Sequence, residues 1–190
     1  YGDWSSDVCS SDLKLIKIEM NTLIQNITFD KELIFGAHNA VHTCLRLQKN
    51  ERITIITDNE SQEIAAAFVS EIKKIASTYN VFILEDYGQR PLTDMPQPIL
   101  DDLSQSDVSI FACVAQIGEL GSRIQMTSVV NKHRIRHAHM VNISKQIMCE
   151  GMRADFLEVD RLEARRIAEA LRNHPAAIDH EPMGLDLRPA

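Results

Sequence analysis

Two histidines four residues apart are the first side chains whose spacing suits chemistry. His38 and His42 fall on a predicted helix, where an i, i+4 pair lies on one face and can chelate a metal ion. A zinc site needs three or four protein ligands, so two histidines leave it incomplete. The pattern favours two histidines on the polar flank of a helix, and we predict no metal ligand in this chain.

A second group of histidines lies further along the chain, among cationic side chains. The group comprises His133, His137 and His139, with Lys132, Arg134 and Arg136 between and beside them. It is compatible with an anion or metal site, but the sequence favours a solvated cationic turn between a helix and a strand, or an interface patch. If the strand begins early enough, His137 and His139 share one face, because side chains alternate along a strand.

A third candidate site is a crevice at the carboxyl ends of the predicted strands, where open α/β sheets bind ligands. The loops at these ends carry Asp58, Glu60, Asp86, Glu119, Ser122, Arg123, Ser144 and Lys145. Carboxylates there can hold a metal or an amine, whereas helix capping by Asp58 and Ser144 is the structural alternative and is somewhat favoured. The candidate crevice residues are Asp58, Asp86, Glu119, Ser122, Arg123 and Ser144. No catalytic residue is assigned.

Established catalytic and nucleotide-binding motifs are missing from the sequence. It contains no GxGxxG after a strand, no GxxxxGK[ST], no GxSxG and no HExxH. Cys44 lies on an apolar helix stripe and Cys113 inside an apolar strand, and buried thiols of this kind are inert. The sequence therefore disfavours a Cys–His hydrolase and has no nucleotide-binding fingerprint.

Alternating helices and strands must position these residues. Predicted helices cover about 31–48, 60–78, 119–132 and a last segment capped by Asp155, with a short helix ending near residue 105. Predicted strands cover 52–57, 81–85, 107–114 and 138–143. This order predicts an α/β fold: a small doubly wound (Rossmann-like) sheet of about four parallel strands with helices on both faces.

Both ends of the chain differ from this pattern. Residues 1–13 have no apolar periodicity and resemble a translated sequencing adapter, so residues 1–19 are predicted to be an artefactual or disordered leader. Residues 20–174 are predicted to form the α/β domain. Residues 175–190 contain three prolines and lose the periodicity, which predicts a linker or a foreign tail.

Composition excludes several classes of protein. The 190 residues are 44% hydrophobic and 25% charged, which is ordinary for a globular protein, and the net charge of −7 disfavours binding to nucleic acid. The longest apolar run, residues 108–115, is too short to span a bilayer. Four cysteines without CxxC spacing indicate a reducing compartment, so we expect a cytoplasmic protein.

Four segments carry a resemblance to a known family. They are residues 36–41 (Gly-Ala-His-Asn-Ala-Val), 52–58 (Arg-Ile-Thr-Ile-Ile-Thr-Asp), 136–143 and 146–156. Together they resemble the N-terminal domain of the thermophilic-type leucyl metalloaminopeptidases, the aminopeptidase T and aminopeptidase S family. The resemblance covers about residues 21–173, and its motifs are structural rather than catalytic.

The resemblance implies a dimeric exopeptidase that removes N-terminal residues from peptides. It implies two divalent metals (Zn, Co or Mn), held by Glu, His and Asp in a separate C-terminal catalytic domain that is missing from this chain. No ligand or catalytic residue of that domain maps onto the present residues, so the fragment itself is expected to be inactive. The expected partners are that domain, a second copy of the chain and a peptide substrate. The alternative is a free-standing α/β binding or regulatory module that uses the strand-end crevice.

Overall fold

A four-stranded parallel sheet is the centre of the fold. The structure, a computed structural model, describes residues 24–75 and 77–173. The strands are β1 (Arg52–Thr57), β2 (Thr78–Ile83), β3 (Val108–Cys113) and β4 (Arg136–Val141), in the spatial order β2-β1-β3-β4. Every neighbouring pair is parallel, which confirms the predicted small doubly wound α/β fold.

The described part of the chain contains six α-helices. They are α1 (Leu33–His38), α2 (Gln62–Ile75), α3 (Gln97–Leu103), α4 (Leu120–His133), α5 (Lys145–Cys149) and α6 (Phe156–Asn173). A π-helix (Asn39–Cys44) directly continues α1, and 3-10 turns lie at Leu84–Tyr87 and Gly151–Arg153. None of the described helices has both the length and the apolar character that crossing a membrane requires.

The chain divides into two compact units. One extends to Ala154 and contains the sheet, and we call it the α/β unit; the other begins at Asp155 and contains α6. The capping predicted for Asp155 is confirmed, because its Oδ1 accepts a hydrogen bond of 3.0 Å from the backbone N–H of Glu158. The predicted leader and tail, residues 1–19 and 175–190, lie outside the described residues.

The sheet has an apolar core on each face, because side chains of buried strands alternate between faces. On one face, Ile53 and Ile55 of β1 belong to the core that α1 and α2 cover. On the other face, Ile56 packs with residues of α3 and α4, such as Leu103 and Met126. The β-branched run of β1 is therefore buried on both faces, as predicted.

The two edge strands begin earlier than the sequence predicts. Thr78, rather than residue 81, begins β2 and pairs with Arg52, and Arg136, rather than residue 138, begins β4 and pairs with Val108. The added residues are polar or partly exposed. Parallel pairing uses backbone groups, so an edge strand can extend past its apolar side chains, and a search for apolar runs misses that extension.

Gly36 lies where α1 passes closest to α5. A Cβ atom added there would overlap the backbone carbonyl oxygen of Met148 and lie 3.0 Å from the Cβ of Met152. The glycine in the motif at residues 36–41 therefore has a packing role, since only glycine permits this approach of the two backbones.

We predict that Gly36→Ala lowers the free energy of unfolding. Overpacking against a backbone atom costs about 1–3 kcal/mol, more than the ~1 kcal/mol that alanine usually gains over glycine in a helix. The matched control is Gly151→Ala, because a Cβ at Gly151 meets nothing within 4 Å. Urea unfolding of both variants measures the difference. Equal stability of the two variants would show that the approach at Gly36 imposes no constraint.

Candidate functional site

The predicted crevice lies at the carboxyl ends of β1 and β3, neighbours between which the winding of the sheet reverses. Asp58 directly follows β1 and is fully buried. Its Oδ1 accepts a 2.8 Å hydrogen bond from the backbone N–H of Ser61, which caps the turn into α2. Its Oδ2 accepts a 2.6 Å bond from the backbone N–H of Val114, just beyond β3. One carboxylate thus ties β1, α2 and β3 together.

Arg90, from the loop between β2 and α3, fills this crevice. Its side chain is 4% exposed. One terminal nitrogen donates to Asp58 Oδ2 at 2.7 Å, while Nε and the other terminal nitrogen donate to the two Glu119 oxygens at 2.8 and 2.6 Å. Arg90 also donates to the Val114 carbonyl at 2.5 Å. The place where this fold usually takes a ligand is occupied by the protein's own guanidinium.

The interactions in the crevice favour the ionised forms of Arg90 and Glu119. Hydrogen bonding to Glu119 raises the pKa of Arg90 despite burial, and Asp58 adds to the effect. Burial opposes ionisation of Glu119, but hydrogen bonds from Arg90 and from the backbone N–H of Leu92 outweigh it and lower the pKa of that carboxyl. Both charges are therefore retained without a bound ion.

The other candidate crevice residues do not contact Arg90 in the hydrogen bonds described above, and each has its own local role. The Ser122 hydroxyl donates to the Glu119 carbonyl at 2.9 Å, and Ser144 caps α5 by accepting from the Ile147 N–H at 3.2 Å. Asp86 lies in the 3-10 turn after β2, where burial and then the charge of Glu85 raise its pKa. Of the six candidates, Asp58 and Glu119 are the two that Arg90 brings together.

A separate cavity of about 290 Å³ opens beside the filled crevice. It lies at the ends of β3 and β4 and the start of α2, and its lining residues are Glu60, Ser61, Glu63, Ile64, Val114, Asn142, Ile143, Ser144 and Lys145. An ion pair between Lys145 and Glu63 lies in this lining. Ser144 is the candidate crevice residue that lines it.

The second histidine group separates in the structure. His133 ends α4 and is exposed, whereas His137 and His139 share one face of β4, as the alternation predicts. Nε2 of His137 lies 3.2 Å from Nδ1 of His139, whose ring stacks on Phe111 at 5.4 Å. The last candidate crevice residue, Arg123, lies on α4. Burial, and then the charge of Arg123, lowers the pKa of His139.

The first histidine pair, His38 and His42, contacts a third side chain, Glu71, that the sequence pattern does not indicate. Glu71, fully buried on α2, places Oε2 at 3.2 Å from Nδ1 of His38 and 3.2 Å from Nε2 of His42. Lys74 pairs with the other oxygen, Oε1. Burial lowers the pKa of His42, and the charge of His38 lowers it further. In the described part of the chain, this is the group of three side chains that can hold a metal ion.

Sequence reasoning missed Arg90 and Glu71. Arg90 lies two residues after Gly88, in a loop with two prolines. Its signal is that it is a cation close in sequence to a strand end, in a fold with acids at the other strand ends. Glu71 has a weaker signal, an acid among the apolar residues of an amphipathic helix. Neither signal identifies the partner, because the partners are 29 to 33 residues away.

Comparison with models of known protein families finds no match for this chain, and comparison with curated protein sequences finds none. The aminopeptidase resemblance therefore rests on the segments quoted from the sequence, and function must be argued from the geometry of the described residues.

We predict that Arg90→Met destabilises the α/β unit by about 3–5 kcal/mol, because it leaves buried carboxylates without their cation. The matched control is Arg153→Met: Arg153 is 43% exposed and lies 3.7 Å from Glu32, and such pairs contribute at most about 1 kcal/mol. Urea unfolding compares the two variants. A cost for Arg90→Met no larger than for the control would contradict the role assigned to Arg90.

A second prediction concerns pH. Burial, and then the charge of His139, lowers the pKa of His137 to about 4 from 6.5, and its Nδ1 lies 2.8 Å from the Ser109 hydroxyl. The unfolded chain therefore binds more protons between these values. The stability that neutral His137 contributes is complete above about pH 6.5 and is lost as the pH falls towards about 4, by about 2–3 kcal/mol.

His137→Asn should reduce the loss of stability between about pH 7 and pH 4.5, while the exposed His133→Asn should retain it. Urea unfolding at the two pH values measures both variants. An identical pH dependence in the two variants would show that His137 titrates alike in the folded and unfolded chain.

Proposed function

We propose that the α/β unit is the non-catalytic N-terminal domain of a metal-dependent aminopeptidase. The observation that carries this proposal is the filled crevice: Arg90, 4% exposed, occupies the strand-end position between Asp58 and Glu119. Hydrolysis by a metal centre requires open coordination positions for water and substrate. Carboxylates that are already saturated by a buried guanidinium do not offer them.

The resemblance at residues 36–41 and 52–58 supports the same proposal from the sequence. Gly36 is explained by its close approach to α5, and Asp58 by its bonds to Ser61, Val114 and Arg90. Motif residues with structural roles are what a scaffold domain needs. In the proposal, peptide binding and two divalent metals (Zn, Co or Mn) belong to the C-terminal domain, and the full-length protein is a cytoplasmic homodimer.

A second candidate function is supported by the cavity beside the crevice. Its volume of about 290 Å³ is close to the lower end of ordinary ligand sites, and Glu60, Asn142 and Lys145 contribute polar groups. A free-standing binding module would bind a small polar molecule there. The source gene beyond the codon for residue 174 distinguishes the two: a following Glu/His/Asp-rich domain supports the aminopeptidase, and a stop codon supports the module.

We predict that the purified chain does not cleave a leucyl reporter substrate with Zn²⁺, Co²⁺ or Mn²⁺. The physical reason is that two-metal hydrolysis needs ions about 3.5–4 Å apart with open positions. The measurement is the rate of reporter release with each metal against a protein-free blank.

Two variants show which residues any observed activity depends on. Asp86→Ala tests the acid in the 3-10 turn after β2, and His38→Ala tests the cluster with Glu71. Metal-dependent turnover that either substitution abolishes would place an active site in the α/β unit and would contradict the proposal.

A further inference from the structure

We propose that His38, His42 and Glu71 form a binding site for one divalent transition-metal ion of the Zn²⁺ type, which joins the α1/π-helix segment to α2. This inference does not depend on the aminopeptidase proposal. Binding of such an ion is a property of the α/β unit alone, whatever protein the unit belongs to.

The spacing of the donor atoms supports the site. Glu71 Oε2 lies 3.2 Å from both His38 Nδ1 and His42 Nε2, and the three donor atoms all lie within 4.8 Å of one another. Zn²⁺ with ligand bonds of about 2.0–2.2 Å in a tetrahedron holds its ligand atoms about 3.3–3.6 Å apart. Two of the three separations are thus within a few tenths of an ångström of those required, and small side-chain rotations complete the geometry.

A buried nitrogen without a hydrogen bond supports the site independently. His42 Nε2 is buried and, although close to Glu71, has no hydrogen-bond partner of proper geometry. Buried polar atoms are nearly always satisfied, so such an atom requires an explanation. A neutral imidazole with its lone pair on Nε2 is the form that ligates a metal.

The donor set defines the class of ion. Two imidazole nitrogens and one carboxylate oxygen form a set that Zn²⁺ sites use, with a fourth position left for water. His38 is 56% exposed, so the fourth position can face solvent and the ion has a route of entry. Mg²⁺ and Ca²⁺ prefer oxygen ligands and should bind poorly.

The backbone around the histidines is adapted to this arrangement. The helix changes from α to π winding at Asn39, between the two histidines, and their rings stack at 4.3 Å with planes 22° apart. Short π-helical segments within α-helices often occur at functional sites. Here the π-helical segment directly follows α1, and both histidines lie 3.2 Å from the same carboxylate oxygen, Glu71 Oε2.

Lys74 is the opposing charge. Its ammonium pairs with Glu71 Oε1, which leaves Oε2 to the histidines, and the side chain is 60% exposed. It can therefore turn into water when an ion binds, but its charge still disfavours a nearby cation. Without Lys74 the site should bind metal more tightly, by about two- to fivefold, the range expected for one exposed charge pair.

The test is a titration of the untagged, chelator-treated chain with Zn²⁺, in competition with a chromophoric chelator and with thiols kept reduced. Co²⁺ gives a second readout, because its visible absorption depends on its ligands. We expect one ion per chain and a higher melting temperature with Zn²⁺ but not with Mg²⁺. His38→Ala and Glu71→Gln should weaken binding at least about tenfold.

Two further variants complete the experiment. His133→Ala, an exposed histidine outside the cluster, should bind like the parent chain, and Lys74→Met should bind more tightly. Because Glu71 is buried, far-ultraviolet circular dichroism checks that Glu71→Gln folds; His38→Ala keeps the test decisive if it does not. The proposal is overturned by the absence of saturable one-to-one binding, by equal affinity of His38→Ala and the parent chain, or by weaker binding to Lys74→Met.

Discussion

The buried guanidinium of Arg90 is the interaction on which the strand-end edge of the sheet depends. It pairs with both Asp58 and Glu119, which are almost fully buried, and it donates to the Val114 carbonyl beyond β3. Asp58 in turn orders the start of α2 and the chain after β3. Buried charges are tolerated only when they are paired and hydrogen-bonded, so the loop that carries Arg90 must close onto the sheet for this edge to be stable.

Because Arg90 fills the crevice, a ligand cannot bind at the usual position in this unit. In open α/β sheets the crevice where the strand order reverses, here between β1 and β3, is normally free for a ligand, and here the Arg90 side chain occupies it. The cavity that remains lies beside the crevice, at the ends of β3 and β4 and the start of α2. The fold therefore leaves room for a small ligand there, while the crevice itself holds the strand-end loops together.

Three buried carboxylates illustrate two ways of satisfying a buried charge. Asp58 accepts hydrogen bonds from a guanidinium and from backbone N–H groups. Asp102 accepts them from Thr54, Asn80 and Arg52. Glu71 is different, because two histidine nitrogens lie 3.2 Å from its Oε2 and an exposed lysine pairs with its Oε1. Histidine nitrogens can change partners from a carboxylate to a metal without unfolding anything, and this is why we place an ion site at Glu71 alone.

The sequence by itself determined the four strands and the helices that alternate with them, but not α5 or the π-helix that follows α1. Apolar runs separated by amphipathic segments predicted the parallel sheet, and alternation placed His137 and His139 on one face of β4. These patterns are local, because periodicity depends on neighbouring residues of one segment. The starts of β2 and β4 were predicted too late, since backbone pairing with β1 and β3 extends them past their apolar residues.

Only the tertiary structure decided the sites. The i, i+4 spacing of His38 and His42 was readable, but Glu71 joins them only because α1 packs on α2. Arg90 lies in a loop of ordinary composition, and it becomes the partner of Asp58 and Glu119 only because three parallel strands deliver their following loops to one edge. The physical reason is that the energy of a buried charge depends on partners far away in sequence, whereas the pattern that forms a helix or a strand is complete within the segment itself.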